Sequence, residues 1–226
     1  NLRRSKGFLN RHDKLRLGVE KRHPIISTNA EYMKNNNHLN HLERKLRIIS
    51  GQWRGRKIPF EIKNGLRPTK EIVRETLFNW LDSCLPGSRC LDLFCGTGSL
   101  GLEALSRGAR HCDFVDKSSS CTKALANCLY NLKADNLSKV HCSDVMDFLS
   151  VTEASSYDVV FIDPPFNTRL LNETCRSFSN KDLVLPGGMV YLEFSSSDRP
   201  DYISPRWEKF REKKSGSVKY CLYLNS

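Results

Sequence analysis

The sequence of 226 residues predicts an α/β fold: a doubly wound, mostly parallel seven-stranded sheet behind a short N-terminal β-hairpin and helix. Three observations carry that expectation. From Arg89 onward, apolar runs of strand length alternate with amphipathic runs of helical length, as in a parallel sheet covered on both faces. The first of these strands enters its helix through a glycine-rich turn, LDLFCGTGSLG. The last two apolar runs follow each other with no helix between them, so the sheet closes with antiparallel strands at one edge.

Taken in order, residues 1–42 are polar, basic and Asn-rich around Asn35–Asn37, with no apolar period, and are expected to form a largely disordered extension. The first methionine is Met33, and synthesis beginning there, with 1–32 as an upstream extension, is the expectation for this end of the chain. Residues 43–82 form a second segment. In KLRIISGQWRGRKIPF, Leu46, Ile48 and Ile49, then Ile58 and Phe60, flank a middle that holds Gly51, Arg54, Gly55 and Arg56, which predicts a hairpin with a basic loop. Pro68 and Thr69 supply a stop and an N-cap for a helix in which Ile72, Val73, Thr76, Leu77, Trp80 and Leu81 recur at helical spacing.

The third segment, 83–226, is the sheet domain. RCLDLF is a buried strand and SLGLEALSRG a helix closed by Gly108. HCDFV is a strand, and SSCTKALANCLYNLK a helix capped from Ser118 or Ser119. KVHC is a short strand before a helical turn through Val145 and Leu149, and YDVVFI a strongly apolar strand before a helix around Leu170 to Phe178. GGMVYLEF adds a strand, and WEKFREKKSGSVKYCLYL two more that turn near Ser215 to Ser217.

Composition narrows the class. An apolar share of 39% supports a real core, and no stretch reaches the roughly 18 apolar residues of a membrane span. No apolar segment follows the basic N-terminus, so a secretory signal is not expected and the chain reads as soluble and cytoplasmic. The nine cysteines, Cys84, Cys90, Cys95, Cys112, Cys121, Cys128, Cys142, Cys175 and Cys221, contain no CxxC pair, so reduced thiols rather than a metal site are expected. Of the net charge of +11, residues 1–47 carry +8, with twelve Lys/Arg against four acids. A basic N-terminal part on a nearly balanced body points to a polyanionic partner.

The chemistry lies in two motifs. Gly96, Gly98 and Gly101 have the GxGxxG spacing between a strand and a helix, where the backbone turns tightly and approaches a ligand at the carboxyl end of the sheet. Asp116, ending the next strand, is placed for ribose hydroxyls, as sites for NAD and for S-adenosylmethionine both require. Asp92, before the glycine turn, favours a cationic amino-acid end over a pyrophosphate, which it would repel. The second motif is Asp163-Pro164-Pro165-Phe166, directly after YDVVFI. An exocyclic amine on a base is a poor nucleophile because its lone pair is spread into the ring. The Asp163 carboxylate and the Pro164 carbonyl, accepting both amino hydrogens, would draw density back onto nitrogen, while Phe166 stacks on the base. Asp144 is placed either for an adenine amino group or to cap the turn that follows it. With it the acids 92, 116, 144 and 163 end successive strands.

These residues together resemble a known family. LRIISGQWRGRKIPF, GLRPTKEIVRETLFNWL, CLDLFCGTGSLGLEALSRGA, VVFIDPPF and the late VYLE look like the bacterial ribosomal small-subunit methyltransferase D family, from about Leu46 to about Leu224. The resemblance implies a class I, Rossmann-like methyltransferase that uses S-adenosylmethionine and no metal. It implies methylation of a guanine N2 in 16S rRNA, guanine 966, by a monomer acting on the assembled or assembling small subunit. It makes Asp163, Pro164, Pro165 and Phe166 catalytic. Asp92, Phe94, Gly96, Gly98, Gly101, Asp116 and Asp144 become donor-binding residues. Arg54, Arg56, Arg67, Thr69 and Arg74, in or after the hairpin, become candidates for RNA or target-base contact. Departures are small: nothing carries over to the first 40-odd residues, and Asp116 reaches less far than a glutamate would. Other readings stay open at this stage: a DNA or other RNA amino-methyltransferase, an RNA-binding assembly factor without catalysis, and an NAD-linked enzyme.

Overall fold

A computed structural model describes residues 44–60, 69–153, 157–166, 168–197 and 200–226. The extension over 1–42 and the position of Arg67 lie outside the described residues. Strands β1 (Arg44–Arg47) and β2 (Lys57–Phe60) pair antiparallel, Leu46 opposite Ile58, as the hairpin pattern predicts. Helix α1 (Glu71–Trp80) follows. The sheet domain then runs β3 (Arg89–Asp92), α2 (Ser99–Ser106), β4 (His111–Asp116), α3 (Ser119–Asn131), β5 (Ser138–Cys142) and α4 (Val145–Val151). It ends with β6 (Tyr157–Ile162), α5 (Leu170–Lys181), β7 (Val184–Ser195), β8 (Trp207–Ser215) and β9 (Val218–Asn225).

The sheet order is β5-β4-β3-β6-β7-β9-β8. Strands β3 to β7 pair parallel with one another, and β9 runs antiparallel to both β7 and β8. The chain therefore steps outward from β3 through β4 and β5, then restarts on the other side at β6. Loops leaving β3 and β6 part in opposite directions, which opens a crevice at the carboxyl ends of those two strands.

Alternation along each strand sorts the core onto two faces. Phe114, Phe161, Tyr191 and Leu222 pack with α1, α2, α3 and the hairpin. Leu91, Val115, Val160 and Leu192 pack with α4 and α5. Helix α2 is buried along its whole length, because the hairpin covers the side that the sheet does not. Gly101 lets it lie close to β4: a β-carbon there would sit 2.2 Å from the Phe114 ring.

Helix α1 departs from the expected stripe. Its buried residues are Val73, Arg74, Leu77 and Phe78, while Ile72 is 61% exposed. The reason is Glu103, a wholly buried carboxylate on α2. It accepts the amides of Ile49 at 2.8 Å and Ser50 at 3.0 Å, binds Arg107 at 2.8 Å and lies 3.7 Å from the Arg74 guanidinium. Arg74 also donates to the Arg47 carbonyl, at 2.9 Å. Burial pushes the Arg74 pKa below its ordinary value, opposed by Glu103, Glu71 and Glu75. The expectation that Arg74 contacts RNA is thus corrected: its side chain is 2% exposed and ties α1 to the hairpin and to α2.

Removing one partner of a buried pair leaves the other charge uncompensated and costs about 3–5 kcal/mol. Glu103→Ala is expected to lower the unfolding free energy by about that amount in denaturant titration. A loss below about 1 kcal/mol would show that apolar contact alone seats the hairpin.

Candidate functional site

The carboxyl edge of the parallel strands gathers the motif residues that the sequence singles out. Leaving β3, the chain passes Phe94 and Cys95 and turns through Gly96 at φ 48° and Gly98 at φ 76°. Gly98 is the residue from which α2 starts, a left-handed position that a side chain would strain. Asp116, at the end of β4, braces this turn from beside it: one oxygen accepts the Gly96 amide at 2.9 Å, the other the Ser118 amide at 2.8 Å. Each oxygen keeps acceptor capacity for a ligand hydroxyl. Asp92 braces it from below, accepting the Gly101 amide at 3.0 Å. It is 2% exposed, so its charge acts on the edge through the turn it supports rather than by standing in the crevice.

Asp144 realises the capping role: its Oδ1 accepts the Met146 amide at 2.8 Å at the start of α4, and the side chain remains exposed at the same edge. Ser118 caps α3, accepting the Cys121 amide at 3.4 Å.

Across the crevice, β6 ends at Ile162 and delivers Asp163, half-buried, followed by Pro164, Pro165 and the exposed Phe166. The Pro165 carbonyl accepts the Thr168 hydroxyl at 2.8 Å, which closes the turn. Thr69 departs from expectation. It does not cap α1, whose first turn has no side-chain cap; its hydroxyl donates to Asp163 Oδ2 at 3.0 Å. A residue expected as a helix cap and a candidate base contact is the hydrogen-bond partner of the motif carboxylate. Arg54 and Arg56 are exposed in the β1–β2 turn.

Sequence reasoning assigned no role to Glu193, although VYLE was among the resembling segments. It is the buried acid of β7, accepts the Tyr191 hydroxyl at 2.6 Å, and acts electrostatically on Asp163. The rule of one acid per strand end, carried one strand further, would have found it.

So many carboxylates disfavour one another's charge. Burial pushes Asp92 up to about 7, with the Gly101 amide opposing and Asp116 adding to the rise. Asp163 stands well above the carboxylate range, through burial and the Glu193 carboxylate, with Thr69 opposing. An edge of this kind suits a ligand that brings positive charge and hydroxyls. Among the described residues no group of His, Cys, Asp or Glu is arranged to hold a metal ion. None of the described helices is long and apolar enough to cross a membrane.

A doubly wound sheet with a glycine turn after its first strand and an Asp-Pro-Pro-Phe turn across the switch point is the Rossmann-like methyltransferase fold. The solved structure of yhhF from Escherichia coli superposes with a TM-score of 0.74 at 37% identity, over 80% of this chain and 98% of that one. The profile of the family described as Conserved hypothetical protein 95 matches residues 46–224, and the chain belongs to that family. Among curated relatives, Ribosomal RNA small subunit methyltransferase D of Escherichia coli K12 is 40% identical over 179 residues, 79% of this chain and 89% of that protein. The protein of the same name in Haemophilus influenzae is 39% identical over 183 residues, 80% of this chain and 94% of that protein.

Asp92 yields a pH dependence. Its folded pKa lies above the unfolded value of about 3.9, so its contribution to stability is full below about pH 4 and is lost as pH rises through about 7. Asp92→Asn removes that loss. The Tm of the variant relative to the parent is expected to rise between about pH 4 and about pH 7, and a constant difference would mean that Asp92 is ionised throughout.

Proposed function

We propose that this protein is an S-adenosylmethionine-dependent ribosomal RNA methyltransferase that acts on the exocyclic N2 of a guanine in the small subunit, guanine 966 by the family resemblance. The observation that carries the reading is the Asp163 turn facing the glycine turn across the crevice, with its carboxylate oriented by Thr69. The names of the curated relatives support small-subunit rRNA as the substrate class.

The glycine turn, Asp116 and Asp144 are the residues fitted to hold the donor, the two carboxylates through ribose and adenine hydrogen bonds. When bound, the donor supplies a methyl group already activated on a sulfonium. With Oδ2 of Asp163 held by Thr69, Oδ1 and the Pro164 carbonyl accept the two amino hydrogens of the base. That would draw the lone pair out of the ring and onto the nitrogen, where it could attack an activated methyl group. The two prolines fix the acceptors, and Phe166, 38% exposed, presents its ring to the base plane. The amine releases its surplus proton after transfer, so no base acts first. Thr69 has a second effect: by donating to the carboxylate it favours the ionised form, which is the form that accepts.

The test uses labelled S-adenosylmethionine with unmodified small subunits, naked small-subunit rRNA and duplex DNA in parallel, and identifies the labelled nucleoside by mass. N2-methylguanosine in the rRNA is the expected product; label in DNA, or none anywhere despite donor binding, overturns the reading. Asp163→Ala is expected to abolish transfer with donor affinity nearly intact, and an equal collapse of donor affinity would contradict the division of labour.

Thr69→Val is expected to lower kcat about tenfold, the worth of one hydrogen bond to a charged group, and Thr69→Ser to restore it. Because Thr69 favours ionised Asp163, the ascending limb of the kcat–pH profile should move to higher pH in Thr69→Val. An unmoved limb would reduce Thr69 to a packing residue.

A further inference from the structure

The C-terminal hairpin reaches the same edge as the Asp163 turn. Strand β9 runs antiparallel to β7 with Val218 opposite Ser195, so the β8–β9 turn at Gly216 emerges beside the carboxyl end of β7. Ser196 fastens it, donating to the Ser217 carbonyl through its amide at 2.7 Å and its hydroxyl at 2.9 Å. Lys70, the residue after Thr69, lies against this turn, its ammonium 3.9 Å from where a β-carbon on Gly216 would be.

The two faces of this hairpin differ in what their cations meet. Cross-strand partners share a face. Lys213 is opposite Tyr220 and Arg211 opposite Leu222, and both partners belong to the core on the α1 side, where Tyr220 meets Trp80 with ring centroids 5.6 Å apart. On the opposite face, which Lys214 shares with its partner Lys219, Lys209 and Lys219 are both bound to Glu212, at 3.0 and 2.9 Å. Lys70, Lys213 and Arg211 make no ion pair among the described residues. The Arg211 guanidinium instead stands over the exposed ring of Phe210, 4.3 Å from its centroid.

We infer that the α1 face of the C-terminal hairpin, with Lys70, Lys213, Arg211 and Phe210, is a docking track for single-stranded RNA adjoining the target nucleotide. The inference rests on the proposed function, since it takes the strand that leaves the Asp163 pocket as its ligand. Lys213 and Arg211 are two residues apart on an extended strand, about 6–7 Å, and continue outward from Lys70. A row of unpaired cations beside an aromatic ring is the chemistry that holds a single strand: phosphates on the cations, a base on the ring. Lysines on an edge strand also discourage sheet-to-sheet pairing. That role does not call for an exposed phenylalanine under a guanidinium, nor for a cation of another element, Lys70, at the hairpin's turn.

The test measures binding of a fluorescein-labelled single-stranded RNA of about a dozen nucleotides at several salt concentrations, apart from catalysis. Replacing Lys70, Arg211 and Lys213 together by Ala is expected to weaken binding at low salt at least about tenfold. It should also flatten the slope of log affinity against log salt by about 2, three phosphates at about 0.7 each. Phe210→Ala is expected to weaken binding about tenfold with the slope unchanged. Lys209→Ala, on the opposite face and bound to Glu212, is expected to change neither, and donor affinity reports that each variant is folded. A triple variant that binds like the parent with the same slope overturns the inference. The two readings fail separately. A parent that methylates rRNA while the triple variant binds normally sinks this one alone. A parent that transfers no methyl group, in which the triple substitution still weakens RNA binding, sinks only the function proposed above.

Discussion

A buried carboxylate must have its charge and its lone pairs answered by the protein, since water cannot do it. Glu103 sits in the middle of helix α2 under that obligation, and its partners come from three different elements: two amides of the hairpin, the guanidinium of Arg107 at the end of α2, and Arg74 of α1. Satisfying it therefore fixes the relative positions of all three. Around it the fit is tight. Gly51 approaches the Ser106 carbonyl so closely that a β-carbon there would lie 1.8 Å from the oxygen, and the Ser106 hydroxyl and the Trp53 amide close a further bond at 3.0 Å. Because α1 is held this way, the residue just ahead of it, Thr69, is held too, and through Thr69 the Asp163 carboxylate. The orientation of the motif acid thus depends on a charge buried on the far side of the hairpin.

The acid-lined edge is a second constraint, and it pulls against the first. Asp92, Asp116, Asp163 and Glu193 converge at the ends of neighbouring strands, where burial and the neighbouring carboxylates make the charges of Asp92 and Asp163 costly. Main-chain amides and the Thr69 and Tyr191 hydroxyls offset part of that cost. A cation bound at this edge would relieve more of it.

Much of this was legible in the sequence, and the exceptions share a cause. Periodicity and turn chemistry place the nine described strands and five α-helices, because each is decided by local pattern. The glycine turn and the Asp163 turn were readable as turns because each follows a buried strand with residues, glycines or a proline pair, that end it. Arg74 was misread, as an exposed cation, because its burial depends on Glu103, some thirty residues away on another helix, and no local pattern signals that pair. Ile72 was placed in the core for the same reason: the stripe on α1 is set by where Arg74 must go. Thr69 occupies the expected position for a cap, and only its distance to Asp163, 94 residues on, shows what the hydroxyl does. Glu193 could have been inferred from the series of strand-end acids, but its Tyr191 partner, two residues away on the same strand, could not.

The hairpin's partners lie 53 and 54 residues further along the chain. During synthesis at about 5–20 residues per second, the hairpin waits for several seconds before α2 exists to receive it. Contacts of that sequence separation also form late, because a long loop must close before they are rewarded. The bond from Thr69 to Asp163 spans 94 residues and waits longer still, while the brace from Asp116 to the glycine turn spans only 20. The nascent chain therefore has the residues of its glycine turn in hand well before those of its candidate catalytic turn.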